Sequence, residues 1–287
     1  MALRRQPATV RLRRLAAELR GLRQAAGLTR EDVSEQTNIN VASLYRIEAA
    51  RVRPQKRTLL ALLSLYGVTD EDRRDQMVDF SRQASQVGWL QEYESELPEE
   101  YAAYISFEAE ARSVRNYESL FIPGLLQTES YARAVIAGAV PVADEAYVRR
   151  RVETRMRRQV ALRKEGPLNL WAIVDEASLH RLVGNAEVMA EQLKTLAEVA
   201  AEPHVVIQVV PYRAGAHAGM PGSFALMNFP DPEDPELVFI DSMGGDLFLE
   251  READIRRFTQ IFEHLQAVAL SPIDSTRLIR EQAGRIG

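Results

Sequence analysis

Twenty-one residues near the N-terminus, LTREDVSEQTNINVASLYRIE (Leu28–Glu48), constrain the fold more than any other part of the chain. Thr29 stands where a helix needs an N-cap, and Asp32, three residues on, completes a capping box. Leu28 and Val33 face inward. Gln36–Asn40 is rich in polar turn formers, and Asn40 suits the cap of a next helix over Val41–Ala49. Leu44 and Ile47 are the buried positions of that helix. Two short helices joined by a tight turn make a helix-turn-helix.

The flanks fit one small all-helical domain. Leu12, Leu15, Leu19 and Leu22 recur at helical spacing, which predicts an amphipathic helix over Val10–Ala26. Gly27 is its natural stop, because glycine enters the left-handed region without penalty. A fourth helix is expected over Lys56–Tyr66, closing the core with Leu59, Leu60, Leu62 and Leu63.

These residues resemble the Xre family, the phage-repressor type of helix-turn-helix domain. Leu28 and Thr29 match the start of its second helix. Leu44 and the run Tyr45, Arg46, Ile47, Glu48 match the third, and Arg53, Pro54 and Leu59 the fourth. The match covers residues 10–68. It implies a structural pairing of Arg23 with Glu48 and double-stranded DNA as the partner. With Leu44 and Ile47 turned inward, Val41, Ala42, Ser43, Tyr45 and Arg46 are left to enter the major groove. Val41 and Ala42 suit thymine methyl groups, and Arg46 suits guanine. Ser43 and Tyr45 suit a base or a phosphate. Arg30 stands where the family has a phosphate-contacting glutamine. Arg51, Arg53, Lys56 and Arg57 follow the recognition helix and are placed to grip the phosphate backbone.

The charge distribution agrees. The chain has 287 residues, with 36 Lys+Arg and 41 Asp+Glu. Thirteen of the basic and five of the acidic residues fall within residues 1–60, a balance of +8 against −13 for the rest. Only the N-terminal part is therefore fit to meet a polyanion. There is no cysteine, which excludes disulfides and thiolate metal sites. No apolar run is long enough for a membrane span. The basic N-terminus has no apolar core of a signal peptide. A cytoplasmic location is expected.

Residues 70–100 carry 10 acidic and 3 basic residues. Met77, Phe80, Ala84 and Val87 fall at roughly helical spacing, so residues 71–100 read as an acidic helical linker. Its apolar face is fit to pack on its own body or on a second subunit. The domains expected are 1–70, the helix-turn-helix; 71–100, the linker; and 101–287, a sensory or dimerisation body.

That body reads as α+β with a mixed or antiparallel sheet. Helices are expected over Tyr101–Asn116, from Glu129, over Asp144–Lys164, Glu187–Ala201, Arg251–Ala267 and Ser271–Arg280. Strands are expected over Leu168–Val174 and Val205–Pro211. A meander follows over Ser223–Phe229, Leu237–Asp241 and Asp246–Leu249. Residues 107–111 and 122–133, Asp175–Leu179, Val183-Gly184, Gln192-Leu193, Val209–Tyr212, the loop from Ala214 to Gly219 and Ala269–Pro272 resemble a family of actinobacterial Xre regulators. Its C-terminal domain is described as antitoxin-like and WhiJ-type. The resemblance implies a small partner protein encoded nearby, with a small-molecule effector as the other possibility.

Chemistry is hard to find in this body. No two of His180, His204, His217 and His264 have metal-ligand spacing. There is no nucleophile elbow and no phosphate-binding loop, so neither an enzyme nor a cofactor is expected. Glu108, Gln208, His217 and Met220 are the candidates for an effector or partner pocket, each with a plainer structural reading. Glu108 is more often solvated or paired with Arg112 or Arg115. Gln208 fits an edge strand, and the loop around His217 and Met220 fits an ordinary flexible hairpin. The expected function is a sequence-specific transcriptional regulator that binds a palindromic operator as a homodimer. The alternative is an antitoxin-like protein that sequesters a small partner, with DNA binding as autoregulation.

Overall fold

A computed structural model describes residues 10–83, 97–139, 144–231, 234–242 and 245–286. The chain forms two compact units that divide between Phe107 and Glu108.

The first unit begins with α1 (Val10–Ala25), α2 (Arg30–Thr37), α3 (Val41–Glu48), α4 (Lys56–Leu65) and α5 (Glu71–Gln83). Gly27 ends α1 with φ +71°. Thr29 and Asp32 form the reciprocal capping box of α2. That helix runs to Thr37, so the turn is shorter than the polar run indicates. Asn38, in the left-handed region at φ 56°, makes it, and Asn40 Oδ1 then accepts from the Ala42 amide to start α3. Leu15, Leu19, Val33, Leu44, Ile47, Leu59, Leu62 and Leu63 form the core, whereas Leu60 lies at its margin.

Met77 of α5 joins the same core and is 2% exposed. The apolar face of the acidic segment therefore packs, at least to Met77, on its own unit. Ala84 and Val87 lie outside the described residues. The unit continues into α6 (Glu99–Glu110), where Leu97, Tyr101, Ala102 and Ile105 form a small cluster.

The second unit is built on one six-stranded mixed sheet. Its strands are β1 (Ser113–Glu118), β2 (Asn169–Asp175), β3 (Val205–Val210), β4 (Phe224–Asn228), β5 (Leu237–Ile240) and β6 (Leu247–Leu249). The order is β3-β2-β1-β4-β5-β6. The first three run parallel, and β4, β5 and β6 form the antiparallel meander. The helices are α7 (Glu129–Ala139), α8 (Glu145–Arg158), α9 (Glu176–His180), α10 (Ala186–Val199), α11 (Glu252–Val268) and α12 (Pro272–Ile286). Phe262 and Leu265 of α11 pack with Tyr117, Ile173, Val210, Phe224, Leu226 and Val238 from the sheet.

Two expected helices are corrected. The helix over Tyr101–Asn116 stops at Glu110, and its last residues enter β1 instead. This strand lies in mid-sheet, between a parallel and an antiparallel neighbour. Only Val114 and Tyr117 among its six residues are apolar, so periodicity does not reveal it. The helix over Asp144–Lys164 ends at Arg158 and tightens into a 3₁₀ turn at Gln159–Leu162. The tightening buries Ala161 and Leu162 and leaves Val160 60% exposed.

The edge strand β3 is closed by the segment that leads into α12. The Leu270 amide donates to Val209 O, and the Val209 amide donates to Ser275 Oγ. An open edge would otherwise invite pairing with another chain.

Candidate nucleic-acid interface

The position of α3 is fixed from below by a buried ionic triad. Glu48 at its end is 5% exposed and Arg23 of α1 is 8% exposed. Arg23 Nε donates to Glu48 Oε1 at 2.6 Å and Nη2 donates to Oε2 at 3.2 Å. Arg23 Nη1 also donates to Leu28 O at 2.6 Å, holding the start of the α2 segment. Arg30 of α2 completes the triad, with Nε donating to Glu48 Oε2 at 2.9 Å. One carboxylate thus holds three helices together. Burial, and next the charge of Glu48, push the nearby Tyr66 hydroxyl up to about 12, against the pull of Arg23.

Above that anchor, Ala42, Tyr45, Arg51, Arg53, Lys56 and Arg57 are exposed, and Val41, Ser43 and Arg46 are half-buried. Arg46 is turned back along its own helix, with Nε donating to Ala42 O at 3.3 Å and Nη2 to Ser43 Oγ at 3.1 Å. Tyr45 is 46% exposed, and the guanidinium groups of Arg30 and Arg51 both lie over its ring. The structure therefore presents the candidate readers and phosphate contacts on and beside α3. Arg30 is the exception, because its guanidinium is engaged with Glu48. The pairing of Arg23 with Glu48 is legible from the resemblance; the recruitment of Arg30 is not, because α2 carries no sequence mark of it.

Three of the four pocket candidates in the second unit, Glu108, Gln208 and His217, have internal partners. Glu108 is buried and takes two hydrogen bonds from Arg158, at 2.7 and 2.8 Å. Gln208 accepts from Trp171 Nε1 at 2.8 Å and donates to Leu270 O at 2.9 Å. This is the edge-strand role, since β3 ends the sheet. His217 Nε2 lies 3.2 Å from Asp175 Oδ2, and its Nδ1 accepts the Gly219 amide at 3.3 Å. The loop is thereby tied down at His217, while Met220 remains 66% exposed.

This loop crosses Tyr117, whose hydroxyl is buried without a hydrogen-bond partner. A Cβ on Gly219 would stand 2.5 Å from the tyrosine ring, so only glycine lets the loop pass there.

Glu118, the last residue of β1, is half-buried. Burial pushes its carboxyl up to about 7, against hydrogen bonds from Ser223 and Asn116 and the charge of Arg155; Asp241 adds to the rise. In the unfolded chain the group titrates near 4.5. The folded protein therefore keeps a proton that the unfolded chain has lost between about pH 4.5 and 7. Its stability falls as pH rises through that window. Glu118→Gln should remove this fall and stabilise the second unit by up to about 2 kcal/mol above pH 7, after allowance for solvent screening. Thermal melts of parent and variant from pH 4.5 to 8 check it; parallel curves would contradict it.

Among the described residues no helix is long and apolar enough to cross a membrane, and no group of three His, Asp or Glu side chains converges as a metal site.

The capped α2, the short turn and the triad-anchored α3 define a helix-turn-helix protein. Residues 14–76 match the family model described as a helix-turn-helix domain, the mark of a DNA-binding regulator. Residues 101–281 match the model described as a domain of unknown function, DUF5753. That match spans more than half of the sequence, and the chain belongs to this family. No curated protein and no solved structure matches it.

Proposed function

We propose that this chain is a sequence-specific transcriptional regulator of the Xre, WhiJ-type kind. It acts as a homodimer on a palindromic operator, and its C-terminal domain takes the controlling signal. The observation that carries this reading is the rigidly held α3, followed at once by the exposed cations Arg51, Arg53, Lys56 and Arg57. A helix so placed enters the major groove while the cations that follow grip phosphates. The dimer is inferred from the few base contacts that one eight-residue helix makes.

We propose no catalytic role for the second unit, where Glu108, Gln208 and His217 each bond to a different neighbour. Control by a small effector or a small partner protein is supported by its exposed apolar side chains. Leu120 and Phe121 follow β1, Tyr212 and Met220 follow β3, and all four are exposed. The carboxyl ends of parallel strands are the usual place for a ligand in such sheets. Co-purification with a small neighbouring protein would favour the antitoxin-like form of this reading, and binding of a small molecule the sensory form.

The phosphate role is tested by the salt dependence of binding to one duplex. Arg53→Ala or Arg57→Ala should weaken binding to every sequence and reduce the slope of log K against log salt by about one. A slope equal to the parent's would contradict it. Arg46→Ala should cost on the order of 1–3 kcal/mol on the preferred site and relax one base position. An unchanged base profile would remove Arg46 from the readout.

A further inference from the structure

Arg30 and Tyr45 form a device that the DNA-binding reading does not by itself require. We infer that Arg30 is a positioning residue for Tyr45, and that Tyr45 is the side chain the free protein holds ready for specific DNA. This rests on the proposal that α3 reads DNA, and deepens it.

The geometry is a chain of fixed contacts. The capping box of Thr29 and Asp32 sets the first turn of α2, where Arg30 is the first residue. Glu48, itself fixed by Arg23, draws Arg30 Nε to 2.9 Å. That contact leaves the Arg30 guanidinium 5.4 Å from the centre of the Tyr45 ring, and Arg51 stands over the same ring at 5.6 Å. A cation over an aromatic face is attracted by the ring quadrupole. The arginine plane suits both contacts at once, one edge on the carboxylate and one face on the ring. Tyr45 remains 46% exposed, so it is held without being covered.

The neighbouring reader is in a different state. Arg46 is folded onto Ala42 O and Ser43 Oγ and must leave both to reach a base. Val41 and Ala42 are short. Tyr45 is thus the one large side chain of α3 that is both exposed and braced, and its ring and hydroxyl suit a thymine methyl group and an adjacent phosphate or base edge.

The test uses the full chain with two substitutions of Arg30. Arg30→Gln removes the charge and the clamp; Arg30→Lys keeps the charge and loses the planar fork. Each is first checked for a cooperative melt. A phosphate contact predicts that Arg30→Gln lowers the salt slope by about one and weakens all sequences equally, and that Arg30→Lys behaves as the parent. The clamp predicts an unchanged salt slope for Arg30→Gln. It also predicts that both variants lose about threefold on the preferred site, at the base position that Tyr45→Ala also relaxes. In a Tyr45→Ala background neither should then have a further effect.

A readout without DNA separates failure of the clamp from failure of the DNA reading. NMR of the labelled tyrosine rings should show Tyr45 ordered in the free parent and mobile in Arg30→Lys. Equal ring order in the two overturns the clamp, whether or not the parent binds any duplex. So does a uniform loss of affinity restored by lysine.

Discussion

Glu48→Ala should destabilise the first unit by about 3–5 kcal/mol, because it leaves two arginines without the carboxylate that holds them. Arg23 is the costly one, since its guanidinium has little access to water in this position. Arg30, with a third of its side chain exposed, can turn to solvent at lower cost. The expected loss is a large share of what a small domain has in reserve. Denaturant melts followed by far-UV circular dichroism should show an early transition for the helical unit. Binding to DNA should fall with it. A loss below about 1 kcal/mol would show that Glu48 does not hold the helices together and that packing around Leu44 and Ile47 suffices.

A comparable effect is expected in the second unit from Arg158→Ala. The Arg158 and Glu108 side chains are 5% and 2% exposed and share two short hydrogen bonds. Removing the arginine takes two short hydrogen bonds from a buried carboxylate, and breaking a buried pair in this way costs about 3–5 kcal/mol. It also opens space beside Gly124, whose Cβ position lies 3.4 Å from Arg158 Nη2. The double substitution Arg158→Met with Glu108→Leu should recover much of the loss, because apolar side chains need no ionic partner. Melts of the single and double variants check this. If the double variant is no better than the single one, the cost lies in packing and not in the broken ion pair.

These two ionic clusters also mark the limit of what local sequence conveys. Thr29 with Asp32, and Asn40, announce their helices because capping acts over two or three residues. The strands β2 to β6 announce themselves through apolar runs between turn residues. β1 does not, because Arg115, Asn116 and Glu118 hide its two apolar residues. It becomes a strand only through partners supplied at Asn169–Val174 and Phe224–Asn228. Arg158 finds Glu108 across 50 positions, and Arg30 finds Glu48 across 18. Neither pairing has a local signature. The candidate readers of α3 are legible because helix periodicity turns Leu44 and Ile47 inward and leaves Val41, Ala42, Ser43, Tyr45 and Arg46 exposed or half-buried. The bracing of Tyr45 is not legible, because it depends on Arg30 of another helix and on Arg51 beyond α3, whereas Arg46 folds onto Ala42 and Ser43 of its own helix.

The central claim is that α3 reads a DNA sequence. It is tested most directly by exposing the purified full chain to a random pool of duplexes and sequencing those it retains over several rounds. Enrichment of one short motif, repeated with two-fold symmetry about one helical turn apart, is the expected result. A retained pool with no motif, matched by a Tyr45→Ala, Arg46→Ala double variant that retains as much, would contradict it.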